Sequence, residues 1–230
     1  MANLFPLPEA NAQVPYGGGY RTLNFTENGF KHWPMLVRIL TIGDGSCLLH
    51  AIVNGYYIPY RTSVNKQETL RSLISALRKE MALKLSSVDS TRGDGTATYY
   101  QTINNGHLPE ESKEVPEFTL ENMVRCLDSS QSLGTGYLEL ISRLLNRDLY
   151  ILSELTQDLY ATDELPYIVT GKRPAVVIYW DGVGHYELVA LKNSQGTFDS
   201  YFKPTNPLIE FLYSRYLNIM AAATPSSSST

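Results

Sequence analysis

Cys47 directly follows the tight turn Gly43-Asp44-Gly45-Ser46 and opens an apolar helix, Cys47-Leu48-Leu49-His50-Ala51-Ile52. A cysteine in the first turn of a helix feels the positive end of the dipole, which favours thiolate over thiol. The unpaired N–H groups of the turn and of Cys47 point into the same space and can form an oxyanion hole, with Gly45 and Ser46 supplying the turn backbone. The glycines allow the chain to fold tightly enough to present those groups. These are the parts a cysteine nucleophile needs.

A base is available far along the chain. His185 begins a strand just after Asp181-Gly182-Val183-Gly184, so it can sit at a sheet edge, open to a cleft. Strand side chains alternate with period two, which points His185 and Glu187 to one face. Glu187 can then hold the imidazole tautomer and stabilise the imidazolium formed when His185 takes a proton from Cys47. Asn24, Asp181 and Asn193 are the alternatives for that orienting role.

The other reactive residue types lack this company. Cys126 lies on a later helix beside its apolar stripe and reads as a small helix residue. His50 is one turn after Cys47 on the same helix and reads as packing, and His32 and His107 lie in irregular stretches without a nameable partner. Two distant cysteines do not suggest a zinc site. No Gly-x-x-x-x-Gly-Lys loop for phosphate occurs. The expectation is chemistry without a metal or organic cofactor.

The elements that must position these residues follow from periodicity. Val37-Arg38-Ile39-Leu40 is strand-like and enters the turn; a helix covers about Cys47 to Tyr57. Asn65 and Glu68 have capping-box spacing ahead of a helix whose inner face is Leu70, Leu73, Ile74, Leu77, Met81 and Leu85. Residues 89–116 read mostly as loop. Thr119 caps a helix to about Gln131, with Leu120, Met123, Val124 and Leu127 inward, and another helix covers about Gly136 to Asn146. Strands follow at Leu149–Leu152, Ala175–Trp180 and His185–Leu191, the last two joined as a hairpin. Asn206 and Pro207 open a final helix with Leu208, Phe211, Leu212, Tyr216 and Ile219 on its inner stripe. A helical block between an early turn–helix unit and a late sheet predicts a single α+β domain.

Composition bounds the partners. The chain has 230 residues, 43% of them hydrophobic, with 19 Lys+Arg against 23 Asp+Glu and a net charge of −4. That is enough apolar material for a core, and no basic excess for nucleic acid. Only 18% of residues are charged and 16 are tyrosine, which suits a folded-protein partner. No apolar run approaches the roughly 20 residues that span a bilayer, and no secretory signal pattern opens the chain. Two cysteines make no disulfide framework, so reduced thiols in a cytoplasmic setting are expected. The expected organisation is an N-terminal arm at 1–36, a core at 37–191, a C-terminal extension with a helix packed on the core at 192–220, and a disordered tail at 221–230.

Three segments resemble the ovarian-tumour (OTU) family of cysteine proteases. Gly43-Asp44-Gly45-Ser46-Cys47-Leu48-Leu49-His50-Ala51 is similar to its nucleophile segment, and Gly184-His185-Tyr186-Glu187 to its late His segment. Gly136-Tyr137-Leu138-Glu139-Leu140 with Leu149-Tyr150-Ile151-Leu152 is a weaker match between them. The resemblance covers about residues 37 to 191. It implies a papain-like fold with a central twisted β-sheet flanked by helical lobes, and isopeptidase (deubiquitinase) activity on ubiquitin, polyubiquitin chains or ubiquitin-like modifiers. It matches Cys47 to the nucleophile, His185 to the general base and Asp44 to the turn acid that shapes the oxyanion hole. Glu187 departs from the family's usual Asp or Asn. Tyr186 and Trp180 are candidate walls of a channel for the ubiquitin tail, and the acidic stretch Pro109 to Glu117 is a candidate contact for its basic end. A monomer is expected. The small stand-alone unit would suit a viral or bacterial protein acting in host cytoplasm. The alternative reading is a catalytically weak or inactive ubiquitin-binding module, and a third is a thiol hydrolase of short peptides.

Overall fold

The Val/Ile/Leu/Tyr-rich runs at 148–153, 175–180 and 186–192 are too apolar for a sheet with one wet face, and they form the buried centre of a seven-stranded sheet. The structure, a computed structural model, describes residues 19–63, 66–89, 96–103, 118–160 and 168–223. The strands are β1 (Tyr20–Thr22), β2 (Leu36–Ile39), β3 (Asp148–Ser153), β4 (Asp158–Leu159), β5 (Ala175–Trp180), β6 (Tyr186–Lys192) and β7 (Phe198–Asp199). They run in the order β1-β2-β6-β5-β3-β4, with β7 also on β6; β3 and β5 are parallel and the other pairs antiparallel.

Seven helices surround this sheet among the described residues: α1 (Cys47–Tyr56), α2 (Ile58–Arg61), α3 (Gln67–Leu85), α4 (Tyr99–Ile103), α5 (Leu120–Asp128), α6 (Leu138–Leu145) and α7 (Pro207–Ala223). The expected α+β class, a central sheet flanked by helices, is the architecture found. Every residue of α1 is buried, because the helix lies across β5 and β6. Gly55 permits that approach: a Cβ there would sit 2.8 Å from a Val176 methyl and 3.3 Å from Leu188.

Several elements depart from the sequence expectation. Lys66, not Asn65, precedes α3, and it makes no side-chain cap; Asn65 and the acidic stretch 109–117 lie outside the described residues. Thr119 does cap α5, accepting from the Asn122 amide, but the helix stops at Asp128. The 136–146 helix is a 3-10 turn (Thr135–Tyr137) followed by α6, which Asn146 ends in a left-handed conformation. Part of the stretch read as loop forms α4. Residues 20–35, placed ahead of the core, supply β1 and bury Leu23, Phe25 and Phe30. Phe30 meets Phe211 of α7 edge-on, and Asp158 of β4 both pairs with Arg215 of α7 and accepts from Asn28, so residues 28–30, β4 and α7 pack together.

Candidate active site

Two independent pieces of local structure converge here. The first is the turn before α1. Gly45 adopts φ +79°, and a Cβ on it would fall 2.1 Å from the Ser130 carbonyl oxygen, so only glycine fits. The Ser46 amide donates to Asp44 Oδ1 at 3.1 Å. Asp44 Oδ2 in turn accepts from His50 Nε2 at 3.2 Å, while Tyr60 Oη meets His50 Nδ1 at 2.6 Å. His50 is fully buried, and burial lowers its pKa, so the ring is neutral with its proton on Nε2. Tyr60, His50 and Asp44 thus form a relay of hydrogen bonds that holds the turn. His50 does more than pack.

The second piece is the β5–β6 hairpin. Asp181 Oδ1 accepts from the amides of Val183, Gly184 and His185, each at 2.9 Å. Burial raises the Asp181 carboxyl, but the three amides outweigh it and hold it below its ordinary value. The hairpin brings the Gly184 carbonyl to 3.6 Å from Cys47 Sγ. The His185 ring lies on the open side of Gly43, where an added Cβ would be 3.9 Å from His185 Cε1. Helix start and hairpin therefore share one site.

The environment of His185 is set by the neighbouring strand. Register Ile39↔Leu188 between β2 and β6, continued two residues, puts Thr41 opposite Tyr186. The Thr41 hydroxyl donates to the Tyr186 carbonyl and lies 3.4 Å from His185 Nε2. Glu187 Oε1 faces the same nitrogen at 3.9 Å, an ion-pair distance and not a hydrogen bond. Glu187 Oε2 lies 3.6 Å from Arg38 Nε, and Arg38 stacks over the Tyr179 ring at 4.1 Å. Glu187 is thus shared between a cation and the imidazole. Thr41 is the residue sequence reasoning missed; its signal is strand pairing, which no local motif displays.

Asp181 is occupied by the hairpin, Asn193 accepts from the Gln195 and Thr197 amides of the next turn, and Asn24 is exposed. Among the described residues none of the three bonds to the His185 ring; Asp181 holds only its backbone. Tyr186 is buried and stacks on Trp180, with ring centroids 6.5 Å apart, and Trp180 is half-buried. Cys126 is half-buried on α5, and its thiol faces the Ser132 carbonyl at 3.9 Å. A cavity of about 530 Å³ lies beside it, lined by Asn122, Arg125, Cys126, Gln131 and Tyr137, and contains neither Cys47 nor His185. No group of three His, Cys, Asp or Glu that could hold a metal occurs among the described residues, and none of their helices is long and apolar enough to cross a membrane.

The electrostatics of Cys47 reverse one sequence expectation. Burial pushes its thiol above the ordinary 9.0. The amides of Tyr186, Leu48 and Cys47 pull the other way, as the helix start suggested, while the Asp44 charge adds to the rise. Desolvation wins. Among the described residues no hydrogen bond joins Cys47 to the His185 ring; the thiol donates to Gly184 instead. The Ser46 amide, expected in the oxyanion hole, donates to Asp44 instead.

No family model and no curated protein matches the chain. The solved structures it is similar to include two of ovarian-tumour domains. One is an OTU domain in complex with ubiquitin, at TM-score 0.48 and 14% identity over 87% of this chain and 90% of that one. The other is the OTU domain of OTUD1, at TM-score 0.41 and 16% identity over 73% and 95%.

Proposed function

We propose that the protein is an OTU-type cysteine isopeptidase that hydrolyses ubiquitin or ubiquitin-like conjugates. The observation that carries the chemistry is the approach of Cys47 Sγ to within 3.6 Å of Gly184 O, which seats a helix-start thiol against the residue preceding His185. The ubiquitin class of substrate rests on the motif resemblance at 43–51 and 184–187.

In this reading Thr41 and Glu187 face Nε2, which leaves His185 Nδ1 to take the thiol proton. Cys47 sulfur attacks the scissile carbonyl, and the Gly45 and Cys47 amides stabilise the oxyanion. His185 passes the proton to the leaving lysine amine, giving a Cys47 thioester. Water, deprotonated by the same ring, cleaves the thioester to a free carboxylate and regenerates the thiol.

Burial raises the Cys47 thiol, so in this reading the thiol gives up its proton to His185 as it attacks. Alkylation by iodoacetamide, mapped to Cys47 by mass spectrometry, is expected to be slow at neutral pH. Its rate should climb about tenfold per pH unit from neutrality upward and still be rising at the ordinary thiol value. A rate already level at pH 6 would contradict this.

Orientation of His185 is divided between two groups. Thr41→Val and Glu187→Gln are each expected to lower kcat about tenfold with KM nearly unchanged, the scale of one lost hydrogen bond or short ion pair. The double variant should lose less than the product of the two if both act through one ring. An unchanged kcat in both variants would remove them from the mechanism.

The reading is tested by turnover of a ubiquitin C-terminal fluorogenic substrate and a panel of diubiquitins. Wild type is expected to cleave at least one, and Cys47→Ala none. Binding without turnover by folded wild type would favour an inactive ubiquitin-binding module. Turnover of short peptides with indifference to ubiquitin would favour a peptide hydrolase.

A further inference from the structure

Arg78 on α3 is 2% exposed, and no carboxylate pairs with it among the described residues. A buried cation without a counter-ion is costly, so its hydrogen bonds must satisfy it. All five N–H groups are directed at neutral oxygens. Nε donates to Leu127 O at 3.1 Å, and Nη2 to Cys126 O at 2.6 Å and Gln131 O at 2.8 Å. Nη1 donates to Ser46 Oγ at 2.9 Å and reaches Gly45 O at 3.4 Å. Two of the acceptors are carbonyls of the last turn of α5, where the negative end of the helix dipole also favours a cation.

The other two acceptors belong to the residues immediately before Cys47. The peptide unit joining Gly45 to Ser46 is held at both ends: its carbonyl faces Arg78, and its N–H donates to Asp44. Fixing one peptide plane constrains its neighbours, and the flanking N–H groups are those of Gly45 and Cys47. The far anchor is itself an ordered turn, in which Ser129 donates to Cys126 O and accepts from the Gln131 amide, and Cys126 and Gln131 also line the 530 Å³ cavity. The guanidinium ties that turn to the turn before α1.

We propose that Arg78 is a positioning residue that clamps the nucleophile turn to the 126–131 segment, so that the Gly45 and Cys47 amides stay turned toward the acyl oxygen. Arg78 touches no reacting atom. Lysine cannot replace it, because one ammonium cannot reach five acceptors spread over two segments. The catalytic part of this inference rests on the isopeptidase reading above; the structural part does not.

The test uses the full chain with Arg78→Lys and, as a milder variant, Ser46→Ala, which removes only the Oγ acceptor. Hydrogen exchange followed by mass spectrometry is expected to quicken at least tenfold in Arg78→Lys at 43–49 and 126–131, with α6 and β5 unchanged. In Ser46→Ala the increase should be smaller and confined to 43–49. On the ubiquitin fluorogenic substrate, kcat should fall about 100-fold in Arg78→Lys and about fivefold in Ser46→Ala, with KM within twofold of wild type. Exchange that is unchanged in both variants, or that rises uniformly across the sheet, would overturn the clamp. Wild-type kcat retained in Arg78→Lys would overturn its catalytic consequence. Should wild type turn over no ubiquitin substrate, the isopeptidase reading and that consequence fall together, and the exchange result alone decides the clamp.

Discussion

Cys47→Ala is expected to abolish hydrolysis of ubiquitin conjugates, lowering kcat on the order of 10⁴-fold or more, because no other group near the site can form the acyl intermediate. The candidate alternatives are removed by geometry. Cys126 lies on α5 beside a separate cavity, and His50 has both ring nitrogens engaged, one by Tyr60 and one by Asp44. The variant should stay folded. The Sγ contact with Gly184 O is long, 3.6 Å, and losing one sulfur from a small buried side chain costs about 1 kcal/mol. Affinity for ubiquitin should persist, since Cys47 is 6% exposed and offers little contact surface. Matched circular dichroism, melting and binding measurements separate lost chemistry from lost structure. Residual turnover within tenfold of wild type would mean that the nucleophile lies elsewhere.

Gly45→Ala is expected to have the second-largest effect, and on both stability and activity. The residue sits at φ +79°, where an L side chain is strained by about 1–2 kcal/mol. A methyl group would also collide with the Ser130 carbonyl at 2.1 Å, which is backbone and cannot swing aside. Together these should cost about 2–4 kcal/mol, with the turn or the 129–131 segment displaced to relieve the clash. The displacement matters more than its energy. Gly45 O and the Ser46 amide are the two ends by which Arg78 and Asp44 fix the turn, so moving residue 45 turns the Cys47 amide away from the acyl oxygen. Denaturant unfolding and steady-state kinetics on one preparation should show both losses. Gly184→Ala is the matched control, since a Cβ there meets nothing within 4 Å. Equal stability of Gly45→Ala and wild type would contradict the geometry at Gly45.

What the sequence displayed was local. Cys47 after a Gly-Asp-Gly-Ser turn and His185 after a Gly-rich hairpin are each a few consecutive residues, and period-two alternation correctly put Glu187 beside His185. The stripe from Leu70 to Leu85 and the central strands were legible for the same reason: one periodicity and one buried face. What stayed hidden depends on contacts between distant segments. Thr41 meets His185 only because β2 pairs with β6, and Arg38 draws on Glu187 through that same pairing. Arg78 left a trace that a stricter reading finds: it lies four residues after Ile74 and three before Met81, a charge on the apolar face of α3. The sign of the Cys47 shift was lost for another reason. The helix-start amides do favour thiolate, but burial acts more strongly, and burial is a property of the packed sheet and not of the motif.

The most direct test of the account is covalent capture. Wild-type protein is incubated with ubiquitin carrying an electrophile in place of its C-terminal carboxylate, and the adduct is digested and mapped by mass spectrometry. The prediction is one ubiquitin per chain, attached at Cys47, with no adduct in Cys47→Ala and a much slower one in His185→Ala. An adduct at Cys126, or none on folded wild-type protein, would contradict the assignment of Cys47 as a nucleophile presented to ubiquitin.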